Sequence, residues 1–200
     1  MANFNELQQD ALCEIFNISV SQAAASLSEI VRDAVELSVP KVEVCAADHV
    51  KQYFGDSYKI CGIAQRFYGD FAGKAILLFP ENRSLELVRL MVGLDLPLDE
   101  LTDMEQDALI EIGNIVINAC MASLADMFHQ HFDCDIPQII VGHSDAVLNG
   151  YDENTSLIII RIKFTISSKD LEGHIVFMVN AKSMDALEVS VNKFLNEASG

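Results

Sequence analysis

Apolar residues recur with a helical period over about residues 5–32 and again over about 102–130, and the stretches after each follow the shorter period of strands. Strand-like segments fall at about 40–48, 58–68 and 73–79, then at 138–147, 156–166 and 172–180. A shorter helix is predicted to close each series, near 82–93 and 182–197. Gly69-Asp70 and Lys169-Asp170 stand where hairpin turns are expected. Pro97-Leu98-Asp99 and Thr102-Asp103-Met104-Glu105 mark the link between the series, with Thr102 or Asp103 as N-cap of the second long helix. The order helix, three strands, helix thus runs twice. It predicts an α+β fold, with helices packed on one mainly antiparallel sheet of about six strands across a pseudo-twofold axis.

The residues repeat as well as the pattern. Asp10-Ala11-Leu12-Cys13-Glu14-Ile15-Phe16-Asn17 matches Asp107-Ala108-Leu109-Ile110-Glu111-Ile112-Gly113-Asn114 at six of eight positions, 97 residues apart. The same offset pairs Pro40 with Pro137 and Leu27 with Leu124. The run 73–79 resembles 173–179 at an offset of 100, which implies a small insertion in the second copy. The chain reads as one domain, residues 1–200, made of two repeats of about 1–97 and 98–200.

On a helix, positions i, i+4 and i+7 lie within about 60° of one another. Asp10, Glu14 and Asn17 therefore share one stripe, continued by Ser21, Ala24, Ala25 and Ser28. Asp107, Glu111 and Asn114 share the matching stripe, continued by Asn118, Met121, Ala122 and Ala125. The opposite faces carry Leu12, Phe16, Val20, Ala23, Leu27 and Ile30, and Leu109, Gly113, Ile117, Cys120, Leu124 and Met127, the expected core positions. Carboxylates spaced i, i+4 are usually only the wet side of a helix. Asparagine, however, is a poor helix former, and a merely solvated face has no reason to place one at the same site twice. The small residues further along each stripe would let another protein's backbone approach closely.

Half of the residues are apolar, enough for a full-sized core. The formal net charge of -17 repels phosphate backbones and anionic lipid heads, which argues against nucleic-acid and membrane partners. No apolar run approaches the roughly 20 residues of a membrane helix. The segment Met1-Ala2-Asn3-Phe4-Asn5-Glu6 has none of the features of a secretory signal. Five cysteines (Cys13, Cys45, Cys61, Cys120 and Cys134) without a CxxC pair read as reduced thiols of a soluble, cytoplasmic protein.

Asp-x3-Glu-x2-Asn, followed 22 residues later by Pro, resembles the signature of the CheC/CheX/FliY chemotaxis phosphatases. Two complete signatures, Asp10, Glu14, Asn17, Pro40 and Asp107, Glu111, Asn114, Pro137, resemble CheC more than the single-site CheX. The resemblance implies a phosphatase acting on the aspartyl phosphate of a CheY-like response regulator. Asn17 and Asn114 would each orient a water for in-line attack, and Glu14 and Glu111 would pair with a regulator lysine. An acyl phosphate is already activated, so its hydrolysis needs a placed water more than a strong base, and an amide both donates to and accepts from water. Holding that water is worth about a hundredfold in rate, near 2.7 kcal/mol. Ser21, Ala24, Ala25, Asn118, Met121 and Ala122 would line the docking surface. No metal or cofactor of its own is implied; Mg2+ would belong to the regulator. A CheD-type accessory partner is compatible with the resemblance. A docking adaptor that binds a regulator without hydrolysis is the competing reading, though docking alone has no need of a water-orienting amide.

Pro40 and Pro137 are expected where the chain enters the first strand of each copy. Asp10 and Asp107 either position the Glu and Asn or simply favour the early helix. The residue before the asparagine is Gly113 in the second copy, the usual family choice, but Phe16 in the first. Both fall on the core face, so the two sites are expected to be unequal in geometry. His129, His131, Asp133 and Cys134 lie close in sequence but lack zinc-ligand spacing. His143 and His174 read as structural, Cys13 and Cys120 as packing groups, and no histidine accompanies Ser19, Ser21 or Ser26.

Overall fold

The computed structural model describes residues 4–46, 59–92, 103–143, 147, 155–166 and 169–198. Two 26-residue helices dominate it: α1 (Glu6–Val31) and, in the second half, α3 (Asp103–Phe128). Asn5 caps α1 in a reciprocal box. Its side chain accepts from Gln8 N at 2.9 Å, and its own N–H donates to Gln8 Oε1 at 2.8 Å. Both helices stop at a residue in the left-handed conformation, Arg32 (φ 58) and His129 (φ 53). α3 begins at Asp103; Thr102 and the link around Pro97 lie outside the described residues.

After α1 come β1 (Val35–Ala46), β2 (Lys59–Gly69), β3 (Gly73–Pro80) and α2 (Glu81–Val92). After α3 come β4 (Phe132–Cys134), β5 (Gln138–His143), β6 (Thr155–Ile166), β7 (Lys169–Asn180) and α4 (Ala181–Ala198). The sheet runs β1-β6-β7-β3-β2 with every pair antiparallel, and both β4 and β5 pair with β2. Among the described residues seven strands replace the expected six because one is broken: β4 and β5 together span 132–143, which lies 97 residues beyond β1 at 35–46. The central pair joins β3 of one half to β7 of the other, with Ile76 opposite Val176. The first strand of each half leaves its own half, so β1 pairs with β6, and β4–β5 pair with β2.

Three sequence expectations shift here. The first strands begin at Val35 and Phe132, earlier than expected, so Pro40 lies inside a strand while Pro137 does immediately precede β5. Register slips by one between Ser38 and Lys41 on β1, and Pro40, which cannot donate to a ladder, sits in that bulge. Lys169 and Asp170 are not the turn but pair with Ile166 and Thr165. The register also sets the repeat in the third strand: Ala64 faces Ile76 and Arg161 faces His174, so Ile76 and His174 are equivalent and 98 residues apart. Gly73 and Gly173 are therefore not equivalents, and the insertion ahead of the third strand is a single residue, although the closing helices start 100 apart.

The main core lies between the sheet and the helices, where α1 packs on β1 and on α3. Phe16 is 1% exposed and stacks on Phe177 of β7, centroids 5.6 Å apart. Ile60, Ala64, Ile76, Leu78, Leu157, Ile159, Val176, Met178 and Val147 form a smaller cluster. These alternate along the strands with main-core residues such as Cys61, Ile63 and Leu77, as the period of two requires. Of the predicted core stripe, Ile30 is 52% exposed near the end of α1. Contrary to the membrane reading, α3 is long and apolar enough to cross a membrane, with mean hydropathy 1.6, but half of that window is buried against the fold.

Candidate active site

The two asparagines occupy matching places on α1 and α3, yet their amides do different things. Asn17 closes a two-point clasp on β1: its Nδ2 donates to Val39 O at 3.1 Å and its Oδ1 accepts from Val39 N at 2.8 Å. The bulge at Pro40 explains the clasp. It turns the Val39 peptide groups away from β6, and a buried peptide without partners costs about 1–3 kcal/mol. Cys13, one turn earlier, adds its thiol to Val39 O at 3.2 Å. Burial first, then Asp10 and Glu14, push that thiol's pKa up, so it stays protonated and donates. Glu14 and Asp10 are exposed on the same face.

In the second copy the residue matching Val39 is Ile136, which is 85% exposed where Val39 is 3% exposed. Nothing clasps it. Asn114 Oδ1 instead accepts from Asn118 Nδ2 at 2.8 Å, and no described residue takes Asn114 Nδ2. Asn118 Oδ1 accepts from Gln65 Nε2 at 3.1 Å, and the same Nε2 donates to Asp135 O at 2.9 Å. Asp135 N donates to Arg66 O at 2.9 Å, which holds the 135–137 segment open beside β2. The result is a cavity of about 390 Å3 lined by Gln65, Ile110, Glu111, Asn114, Asn118, Cys134, Asp135, Ile136 and Pro137. Glu111 is exposed at this cavity, and Asp107 is exposed one turn earlier. The Cys134 thiol is pushed up, chiefly by burial and then by Asp133 and Asp135, so it is no ready thiolate.

Gly113 is what brings α3 this close to the sheet. A Cβ there would lie 2.6 Å from Ile63 Cβ on β2, whereas Phe16 fills the equivalent space under α1 with a ring. The expected inequality of the two sites thus has a structural cause in helix–sheet packing. Of the expected docking residues, Ser21, Ala25 and Ala122 are exposed and Asn118 is half-buried. Ala24 (9% exposed) and Met121 (4%) are buried in the core and present no surface, because the stripe curves under the neighbouring elements as the helix advances. Among the described residues, no group of three or more His, Cys, Asp or Glu is placed to hold a metal. His131 lies 3.5 Å from Asp133 on the surface.

Gln65 and Asn118 were not legible as a pair from the motif. A signal existed: at the offset of 97, Gln65 aligns with Ile162 and Asn118 with Ser21, so a lone buried amide interrupts an apolar strand in one copy only.

The family model described as chemotaxis phosphatase CheX matches residues 61–161, half of the chain, and the CheC-like family model matches residues 7–44. The chain belongs to the CheX family of chemotaxis phosphatases. The CheY-P phosphatase CheC of Bacillus subtilis is 23% identical over 98% of this chain and 100% of that protein. The structure of Thermotoga maritima FliY matches at TM-score 0.80 with 17% identity, covering 96% of this chain and all of that one. A chain of the CheX–CheY–BeF3–Mg2+ complex from Borrelia burgdorferi matches at TM-score 0.52 with 16% identity, over 84% of this chain and 97% of that one. As a member of this family the protein is an enzyme, a phosphatase.

Proposed function

We propose that the protein hydrolyses the aspartyl phosphate of a CheY-like response regulator, and that the second site does most of this work. The observation that carries the reading is Asn114, whose amide lines an open cavity beside exposed Glu111 and keeps its Nδ2 for an incoming molecule. Asn114 enters the regulator's acidic pocket and holds a water in line with the phosphorus–oxygen bond. The water oxygen bonds to phosphorus, the bond to the aspartyl oxygen breaks, and the products are inorganic phosphate and the free carboxylate. No covalent intermediate on this chain is needed, and Mg2+ stays with the regulator. Glu111 pairs with a lysine of the regulator and fixes the docking register. Asn17 serves the first copy chiefly as a clasp, so the first site reacts only when Val39 is released. The named activity of the Bacillus CheC and the CheX–CheY complex support this choice of substrate, and the cytoplasm, where such regulators work, is its place of action.

The test is phosphate release from a purified phosphorylated regulator. Wild type is expected to accelerate it, Asn114→Ala to remove most of the acceleration, and Asn17→Ala/Asn114→Ala to remove all of it. Undiminished release by the double variant would refute the assignment, whereas wild type that binds the regulator without accelerating its phosphate release would establish the adaptor reading.

A further inference from the structure

We infer that Gln65 and Asn118 are positioning residues that fix which end of the Asn114 amide faces the regulator. The inference rests on the proposed role of Asn114. Its basis is the polarity of a hydrogen-bonded chain. Asp135 contributes a backbone carbonyl, which can only accept, so Gln65 must turn its Nε2 toward it. That same amino group donates to Asn118 Oδ1, which leaves Asn118 Nδ2 for Asn114 Oδ1. Asn114 is thereby held with Nδ2 free and one Oδ1 lone pair already engaged. A carbonyl three links away sets the direction of the amide at the cavity.

Two further observations support a built device. Gln65 is 3% exposed, and its Oε1 is buried with no hydrogen-bond partner among the described residues, an arrangement that packing alone would not favour. The first copy has neither member of the chain: Ile162 stands for Gln65, and Ser21, standing for Asn118, bonds back to Asn17 O at 2.8 Å. Correspondingly, Asn17 turns both ends of its amide to Val39. The relay is assembled across the halves, with Gln65 on β2 from the first and Asn118 on α3 from the second.

Dephosphorylation of a phosphorylated regulator, followed at varied regulator concentration, separates kcat from KM. The proteins compared are wild type, Asn114→Ala, Gln65→Met and Asn118→Asp. The carboxylate introduced in Asn118→Asp can only accept, so it reverses the Asn114 amide while keeping its shape. Both relay variants are expected to lose at least about tenfold of the Asn114-dependent kcat with KM within about twofold of wild type. In Asn118→Asp, the Asn114 side-chain NH2 signals should shift in a 15N-resolved NMR spectrum while remote backbone amides stay in place. If Gln65→Met fails to fold, Asn118→Asp decides the matter alone. Unchanged kcat in a folded Asn118→Asp variant, with activity lost in Asn114→Ala, overturns the relay and leaves the proposed function standing. A raised KM at unchanged kcat also overturns it, since that marks a docking role. Full activity in Asn114→Ala overturns the function and the relay together.

Discussion

The two copies of one motif end in opposite uses of the same amide. Around Asn17 every change of residue tightens the site: Phe16 braces α1 on Phe177, Ile162 seals the sheet, and Val39 is pulled into the core by Asn17 and Cys13. Around Asn114 the changes open it. Gly113 lowers α3 onto Ile63, Gln65 and Asp135 hold the bulged segment apart, and Ile136 is left in solvent. Hydrogen-bond satisfaction explains why the difference matters. A peptide group freed by a bulge must find a partner, and the asparagine side chain reaches it unless another residue does so first. The same motif residue is therefore a structural clasp in one environment and an open amide in the other.

The comparison breaks first at the residues beneath the asparagines. Phe16→Ala should cost about 3–5 kcal/mol by leaving a cavity over Phe177, measured by denaturant unfolding. Gly113→Ala should cost about 1–3 kcal/mol by the opposite route, crowding Ile63, and should lower activity at the second site. A Gly113→Ala protein as stable and as active as wild type would show that close approach of α3 is not what distinguishes the sites.

At the asparagines themselves stability and activity should part company. Asn114→Ala is expected to lose roughly tenfold to a hundredfold in rate with little change in stability. Asn17→Ala should lose about 1–3 kcal/mol of stability, because the Val39 N–H is left buried without a partner and its carbonyl keeps only the weak Cys13 thiol, and should have the smaller effect on rate. Equal rate losses from the two would dissolve the proposed division of labour.

The halves also differ in titration. His174 occupies the position that Ile76 holds in the first half, and burial lowers its pKa to about 4 from an ordinary 6.5. A histidine lowered on folding binds its proton more readily in the unfolded chain. Stability should therefore be full above pH 6.5 and fall as pH drops from 6.5 through 4, by about 3 kcal/mol. His174→Ile should flatten that slope; an unchanged slope would assign the acid sensitivity to other groups. The smallest expected effect is at Cys13, where Cys13→Ala removes one weak donor from Val39 O and should cost about 0.5 kcal/mol in thermal unfolding.

Much of this was readable in advance. The long helices, their exposed acids and the duplicated motif follow from local periodicity, and six of eight identical residues place α1 and α3 as equivalents. The strand starts at Val35 and Phe132 were not readable, because the prolines suggested a boundary where the chain in fact bulges within a strand or breaks it. Nor was the burial of Ala24 and Met121, since a helical wheel fixes directions but not what stands opposite them.

The sequence alone determined the elements, their twofold order and the polar stripe, because side-chain spacing on a helix or strand is a local property of the backbone. Tertiary structure decided which strand lies beside which helix. Backbone hydrogen bonds carry no sequence label, so nothing in the chain announces that β1 crosses to β6 and β4–β5 to β2. That exchange brings Gln65 from the first half under Asn114 of the second and leaves Ile162 beside β1, where Asn17 closes on Val39. The motif names two asparagines; their neighbours across the halves determine which of them keeps its amide open.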